Sequence, residues 1–324
     1  MCTSDSDAFP QFQQPAPARV TSSGSLKLDL ALGTGGIPSA SFVEIFGPEA
    51  SGKTSLCLHT IVEAQKAGGV CAYIDCDRSL DAHWSARCGV DQKQLIISQP
   101  DNAEQTLAIT ESLATSGALT IIVIDSLSGL TPQSVLESGL ENPLEISSAP
   151  LLSRTLRRLS GAIQRNGTTI IFTNQLPSRS RSAVYHNLAR DPARLALKLF
   201  AALRLKLSIS GPILEKDQVI GSRIQVKIVK NQKKPCFQFA ELDIMYRDGI
   251  LKTGDIFDLG SQLGLIQQQG LMNAFKDIPL GEDRRAALDI LKRNPGVSAE
   301  IEQIIRQRLL GQVQAVTGDK SLPR

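Results

Sequence analysis

The chain has 324 residues, 42% hydrophobic and 21% charged, with a formal net charge of +3. That is globular composition, long enough for one large core and a smaller module, and no apolar run approaches the ~20 residues of a membrane helix. The charge is too mild to imply nucleic acid by itself, so any basic surface must be local. Six cysteines (Cys2, Cys57, Cys71, Cys76, Cys88 and Cys236) form no CxxC pair. They read as reduced thiols of a cytoplasmic protein without a zinc site. The start, MCTSDSDAFP, lacks a basic and an apolar region and predicts no signal peptide.

Residues 1–20, rich in Pro, Gln, Ser and Ala, predict a disordered arm. FVEIFG is an apolar strand ending in glycine, and TSLCLHTIVEAQKAGG a helix stopped by Gly68 and Gly69. VCAYIDCD is a strand, EQTLAITESLATSG an amphipathic helix, and ALTIIVIDSL an apolar strand. A helix around 150–165 precedes a further apolar strand, GTTIIFTNQ. Alternating helices and continuous apolar strands imply a mostly parallel sheet covered on both faces. RLKLSIS, RIQVKIVKN and CFQFAELDIMY alternate in twos and predict antiparallel neighbours. From about 255 the pattern is helical, in DIFDLGSQLGLI, EDRRAALDILKRN and SAEIEQIIRQRLLG, with Ser298 as an N-cap and Gly311 as a stop. The expected division is an α/β core over 21–250, a small α+β C-terminal domain over 251–312, and a flexible tail over 313–324.

Gly47, Pro48, Glu49, Ala50, Ser51, Gly52, Lys53 and Thr54 spell GPEASGKT, followed by Ser55. This fits G-x-x-x-x-G-K-[ST] between a strand and a helix, the context a phosphate loop requires. Its backbone N–H groups turn toward phosphate oxygens, Lys53 reaches the terminal phosphates, and Thr54 holds Mg²⁺. A Mg²⁺-holding acid belongs at the end of another buried strand, where IIVID puts Asp125. Three acids close the preceding strand in YIDCDRSLD, namely Asp75, Asp77 and Asp81.

These residues, together with GSLKLDLALGTGG, IISQPDNAEQ, IIVIDSLSGLTP, IIFTNQ, GSRIQVKIVKN and GDIFDLG, resemble the bacterial RecA recombinase family from Gly24 to Leu310. The resemblance implies a RecA-type P-loop ATPase core with a small C-terminal domain. It implies ATP and Mg²⁺ as cofactors, and filaments on single-stranded DNA that pair homologous duplex DNA. It also implies roles in DNA repair and, through a repressor partner, the SOS response. By matching positions, Asp77 is the water-activating acid, Asp81 contacts the adenine amino group and Trp84 stacks on the base. Gln175 senses the γ-phosphate, and Lys230 completes the ATP site of a neighbouring subunit. Asp75 reads as structural.

The sequence also departs from the family. Asp77 stands where the family has glutamate, one methylene longer, so slow hydrolysis is expected. Lys230-Asn231-Gln232 lacks the second lysine of a KNK-like run. The second DNA loop, LPSRSRSAVYHNLARDPARLALK, lacks a Gly-Gly pair but carries Arg179, Arg181, Arg190 and Arg194 around Tyr185 and His186. Such interleaving suits phosphate contact and base stacking. Arg157 and Arg158 match basic positions linked to the first loop, whose Glu141 and Glu145 repel phosphate. The family's N-terminal helix and acidic tail have no counterpart, so weakened filament assembly is expected. Two functions stay open: a divergent recombinase, or a nucleotide-binding paralogue with weak or no ATPase that assists another recombinase or translesion synthesis.

Overall fold

The computed structural model describes residues 19–138, 149–176, 192–234 and 238–318. A short strand, β1 (Val20–Thr21), leads into α1 (Leu26–Ala31), opened by Ser25, whose hydroxyl accepts from Leu28 N. The chain returns through β2 (Ile37–Pro38), antiparallel to β1. Strands and helices then alternate: β3 (Phe42–Gly47), α2 (Lys53–Lys66), β4 (Val70–Asp75), α3 (Ala82–Cys88), β5 (Leu95–Ser98) and α4 (Ala103–Thr115). After them come β6 (Leu119–Asp125), α5 (Gln133–Ser138), α6 (Ala149–Asn166), β7 (Thr169–Gln175) and α7 (Pro192–Phe200). Four strands close the sheet: β8 (Leu203–Glu215), β9 (Gln218–Asn231), β10 (Phe239–Met245) and β11 (Gly249–Ile250).

The nine strands run in the order β11-β10-β9-β8-β3-β7-β6-β4-β5. From β8 to β5 every neighbouring pair is parallel, and from β8 to β11 every pair is antiparallel. The central strands read as unbroken apolar runs because both faces are covered. Alternate residues go to opposite cores. Val43, Ile45, Val123 and Ile171 pack with Leu56, Leu58 and Ile61 of α2. Phe42, Ile122, Ile124, Ile170 and Phe172 pack with Leu107 of α4, Leu156 of α6 and Leu197 of α7.

This topology brings the carboxyl ends of β3, β4, β6 and β7 to one edge. Ligands of open α/β sheets bind at that edge, where consecutive strands are separated by others. Here β7 and β6 lie between β3 and β4.

The C-terminal module contains α8 (Lys252–Gln262), a three-stranded sheet of β12 (Ile266–Gln269), β13 (Met272–Phe275) and β14 (Ile278–Gly281), then α9 (Arg284–Arg293) and α10 (Pro295–Gly318). Two sequence expectations change here. Ser298 is not an N-cap, because the helix already starts at Pro295, a residue suited to the first helical position. Its hydroxyl instead donates to Leu291 O at 2.7 Å, tying α10 to α9. Gly311 is not a stop, since the helix continues to Gly318, into the segment read as a tail. The arm read over 1–20 and the remainder of that tail lie largely outside the described residues.

The module packs against α1. Buried Asp29 of α1 accepts from Ser22 Oγ, from Ser23 N and Oγ, and from Arg306 of α10 at 2.8 Å. Cys57, Cys71 and Cys88 are buried and Cys76 is half-buried, all as free thiols, while Cys2 and Cys236 lie outside the described residues. Among the described residues no helix is long and apolar enough to cross a membrane.

Candidate nucleotide site and DNA-binding residues

β3 carries Gly47 to the functional edge, and the next five residues loop back into α2. Gly52, at the start of that helix, has φ +85°, and a Cβ there would meet Ile244 Cδ1 at 2.6 Å. A Cβ on Gly47 would meet Leu207 O at 2.4 Å. Backbone conformation and space therefore demand glycine at the first position, and space alone at the second. The first N–H groups of α2 open toward the cleft with the positive end of the helix dipole. Lys53 folds back along the loop, its ammonium donating to Pro48 O at 2.7 Å and Gly47 O at 3.3 Å. Burial lowers its pKa from the ordinary lysine value, and the Asp125 carboxylate opposes that shift. These carbonyl bonds keep the ammonium against the loop at the wall of the cleft.

Asp125 ends β6 and is buried. Three hydroxyls satisfy its carboxylate: Thr54 at 2.7 Å and Tyr73 at 2.5 Å donate to Oδ2, and Thr173 donates to Oδ1. Burial first, and then the Asp125 charge, push the Tyr73 phenol up, so it stays a donor. The Thr54 hydroxyl and the Asp125 carboxylate are hard oxygen donors side by side. They fit Mg²⁺, which takes one or two protein oxygens and completes its shell with phosphates and water. Among the described residues no cluster of three or more His, Cys, Asp or Glu offers a different kind of metal centre.

The three acids after β4 occupy different environments. Asp75 is fully buried and accepts from Ser79 N at 3.0 Å, Leu80 N at 3.2 Å and Gln99 Nε2 at 3.0 Å, so it shapes the turn. Asp77 lines the cleft with Lys53, Thr54, Asp125 and Gln175. Asp81 lies outside the cleft lining: its carboxylate caps α3 by accepting from His83 N at 2.8 Å. Trp84, one turn further, lines the cleft, and its indole Nε1 donates to Ser55 Oγ at 3.2 Å. Glu49, Ala50, Ser51, Gly52 and Ser55 complete the phosphate-loop wall of a cleft of about 470 Å³.

The opposite wall was not anticipated from sequence. Ile209 of β8, Ser222 and Ile224 of β9, Ile244 of β10 and Tyr246 line it, and Tyr246 Oη lies 3.0 Å from Ser222 Oγ. Ile224 and Ile244 are core positions of their alternating strands, but nothing in the alternation indicated that the antiparallel strands turn that end toward the phosphate loop.

Lys230 stands at the other edge of the sheet from this chain's own phosphate loop. It pairs in register with Arg204, beside the amino end of β3, and donates to Lys198 O and Leu199 O at 3.1 Å. Burial, and then Arg204, lower its pKa. Lys230 does not line this chain's own cleft.

Arg157 and Arg158 are exposed on α6, but the Arg158 guanidinium is ion-paired with Glu111 of α4. Arg179, Arg181 and Arg190, with Tyr185, His186, Glu141 and Glu145, lie outside the described residues, as does the side chain of Arg194 in α7. On β3, Glu44 is buried between Asn174 Nδ2, at 3.1 Å, and the Arg204 guanidinium, which also lies 4.8 Å from the Phe46 ring centre.

A parallel sheet with a phosphate loop after β3, a strand-end aspartate on the phosphate-loop threonine and a strand-end glutamine at the same edge defines a RecA-type P-loop ATPase. The RecA N-terminal domain family matches residues 12–251, and the RecA C-terminal domain family matches residues 254–310. Protein RecA of Brucella canis and Protein RecA of Brucella abortus are each 42% identical over 297 residues, covering 92% of this chain and 82% of theirs. A crystal structure of the RadB recombinase superimposes with a TM-score of 0.52 at 21% identity, over 71% of this chain and 98% of that one, and so shares the fold. The chain belongs to the RecA family, whose members are recombinases with DNA-dependent ATPase activity using ATP and Mg²⁺.

Proposed function

We propose that this protein is a cytoplasmic recombinase that binds Mg·ATP in the cleft between the phosphate loop and Trp84. In this reading it assembles on single-stranded DNA, promotes homologous pairing and strand exchange in repair, and serves the SOS response through a repressor partner. Residues 21–250 act as the ATPase and DNA-binding core, with 251–312 as an accessory domain. Lys53 neutralises the terminal phosphates, Thr54 and Asp125 hold the metal, Trp84 stacks on the base and Gln175 reports the γ-phosphate. Lys230 acts on the neighbouring subunit's nucleotide. The basic residues Arg157, Arg179, Arg181, Arg190 and Arg194 take DNA phosphates. Asp77 activates the attacking water slowly, because its side chain is one methylene short.

The observation that carries this reading is the meeting of Lys53, the Thr54–Asp125 pair, Asp77 and Gln175 in one cleft. Trp84 is the chain's only tryptophan, so its fluorescence reports occupancy of that cleft directly. Mg·ATP is expected to change Trp84 emission saturably, and electron microscopy is expected to show filaments on single-stranded DNA only with ATP present. No saturable change would remove the nucleotide site as described. The second reading, a nucleotide-binding paralogue that assists another recombinase or translesion synthesis, draws on the Arg158–Glu111 pair and on Asp77. It predicts the fluorescence change without filaments.

A further inference from the structure

Asp77 is exposed to the cleft, and an exposed aspartate ordinarily samples several rotamers. Here the turn after β6 holds it on two sides. Ser126 Oγ donates to Asp77 Oδ2 at 2.6 Å, and Ser126 Oγ lies 2.6 Å from Ser128 Oγ. A hydroxyl has one proton to give. Ser126 gives its proton to the carboxylate, so Ser128 must donate to Ser126. The bonds therefore run in one direction, from Ser128 through Ser126 to Asp77, and each polarises the next.

Gly129 forms the other side. A Cβ there would stand 2.2 Å from Asp77 Oδ1 and 3.2 Å from its carboxyl carbon. The φ of Gly129 is outside the left-handed region, so the backbone does not itself call for glycine. What calls for it is space: the carboxylate sits where any side chain at 129 would be. Exposure gives Asp77 access to the cleft, and the turn gives it one orientation.

We propose that Ser128 and Gly129 are positioning residues for Asp77, fixing the short carboxylate toward the water that attacks the γ-phosphate. This rests on the reading of Asp77 as the water-activating acid. In that step Asp77 takes a proton from water as the water oxygen bonds to the γ-phosphorus. The bond to the β–γ bridging oxygen breaks, its electron pair stays on ADP, and phosphate departs. A base fixed by two contacts needs no rotamer search before proton transfer, so the clamp acts on the rate and leaves nucleotide affinity alone.

The test is single-turnover hydrolysis by the full-length protein with Mg·ATP and single-stranded DNA, across ATP concentrations. Ser128→Ala is expected to lower the maximal rate on the order of 10-fold at an unchanged half-saturating ATP concentration, and Ser128→Thr to restore it. Gly129→Ala is expected to cost about 100-fold, because it displaces the carboxylate by an ångström or more. Asp77→Asn sets the floor. If Asp77→Asn hydrolyses ATP as fast as the natural protein, the acid assignment falls and the clamp falls with it. If Asp77→Asn is slow while Ser128→Ala and Gly129→Ala keep the natural rate, the clamp alone is overturned. A crystal structure of Gly129→Ala gives a readout independent of turnover: Asp77 is expected to leave Ser126, and an unmoved carboxylate overturns the proposal.

Discussion

Two titrating groups oppose one another where the large sheet meets the C-terminal module. His59, on α2, accepts from Ile250 N at 2.8 Å through Nε2, and Cβ atoms built on Gly24 and Gly249 would meet it at 2.7 Å and 2.2 Å. Asp255, on α8, accepts from Ser25 Oγ at 2.6 Å and Lys27 N at 3.2 Å. Burial lowers His59 from 6.5 to about 4 and raises Asp255 from 3.8 to about 6. The depressed histidine contributes stability that is present above pH 6.5 and lost as pH falls toward 4. The raised aspartate contributes stability that is present below pH 3.8 and lost as pH rises through 6. At about 1.4 kcal/mol per pH unit, each is worth roughly 3 kcal/mol, with opposite sign, so the pair nearly cancels across this window. Single variants separate them. Relative to the natural protein, His59→Gln is expected to gain roughly 2 kcal/mol between about pH 7 and about pH 4.5, the part of the shift that this window spans, and Asp255→Asn to lose a similar amount. Urea unfolding of the full-length protein at the two pH values measures both. If both variants keep the natural pH dependence, the burial argument is wrong.

Three further outcomes follow from named contacts. Glu44→Ala leaves the Arg204 guanidinium without its buried partner and should cost about 3–5 kcal/mol in urea unfolding, whereas Glu44→Gln, which keeps the Asn174 contact, should cost less. Gly52→Ala should fold but lose most ATP affinity by equilibrium dialysis, because its Cβ would meet Ile244 and φ +85° is strained for alanine. Asp77→Glu restores the missing methylene and should raise single-turnover hydrolysis, by up to about 100-fold; an unchanged rate would show that reach is not what limits turnover.

The parallel core was legible because its strands are continuous apolar runs and its helices are periodic. The meeting of Thr54 with Asp125 was legible because Thr54 belongs to a local motif and Asp125 is an acid in an apolar strand. Tyr73 and Thr173 were not, since in VCAYI and IIFTNQ each reads as one more core position. Only the order β4-β6-β7 brings their hydroxyls to Asp125. Ser126 and Gly129 were hidden for a related reason: their hold on Asp77 crosses from one strand end to the next. An α+β module was expected, but the individual strands of its sheet were not placed because each has only four residues, too few for an alternation to show. Gly264 and Gly270, with φ +67° and +64°, were its turn signals. Asp81, assigned to the base by resemblance, caps α3 through Oδ1, a role that its place before Ala82–Cys88 allows on local grounds.

The central claim is that the cleft holding Lys53 and Asp77 hydrolyses ATP under the control of single-stranded DNA bound elsewhere on the protein. Single-turnover hydrolysis of Mg·ATP, measured with and without single-stranded DNA, tests it most directly. The account predicts slow turnover that DNA accelerates and that Lys53→Ala abolishes; turnover indifferent to both DNA and Lys53 would contradict it.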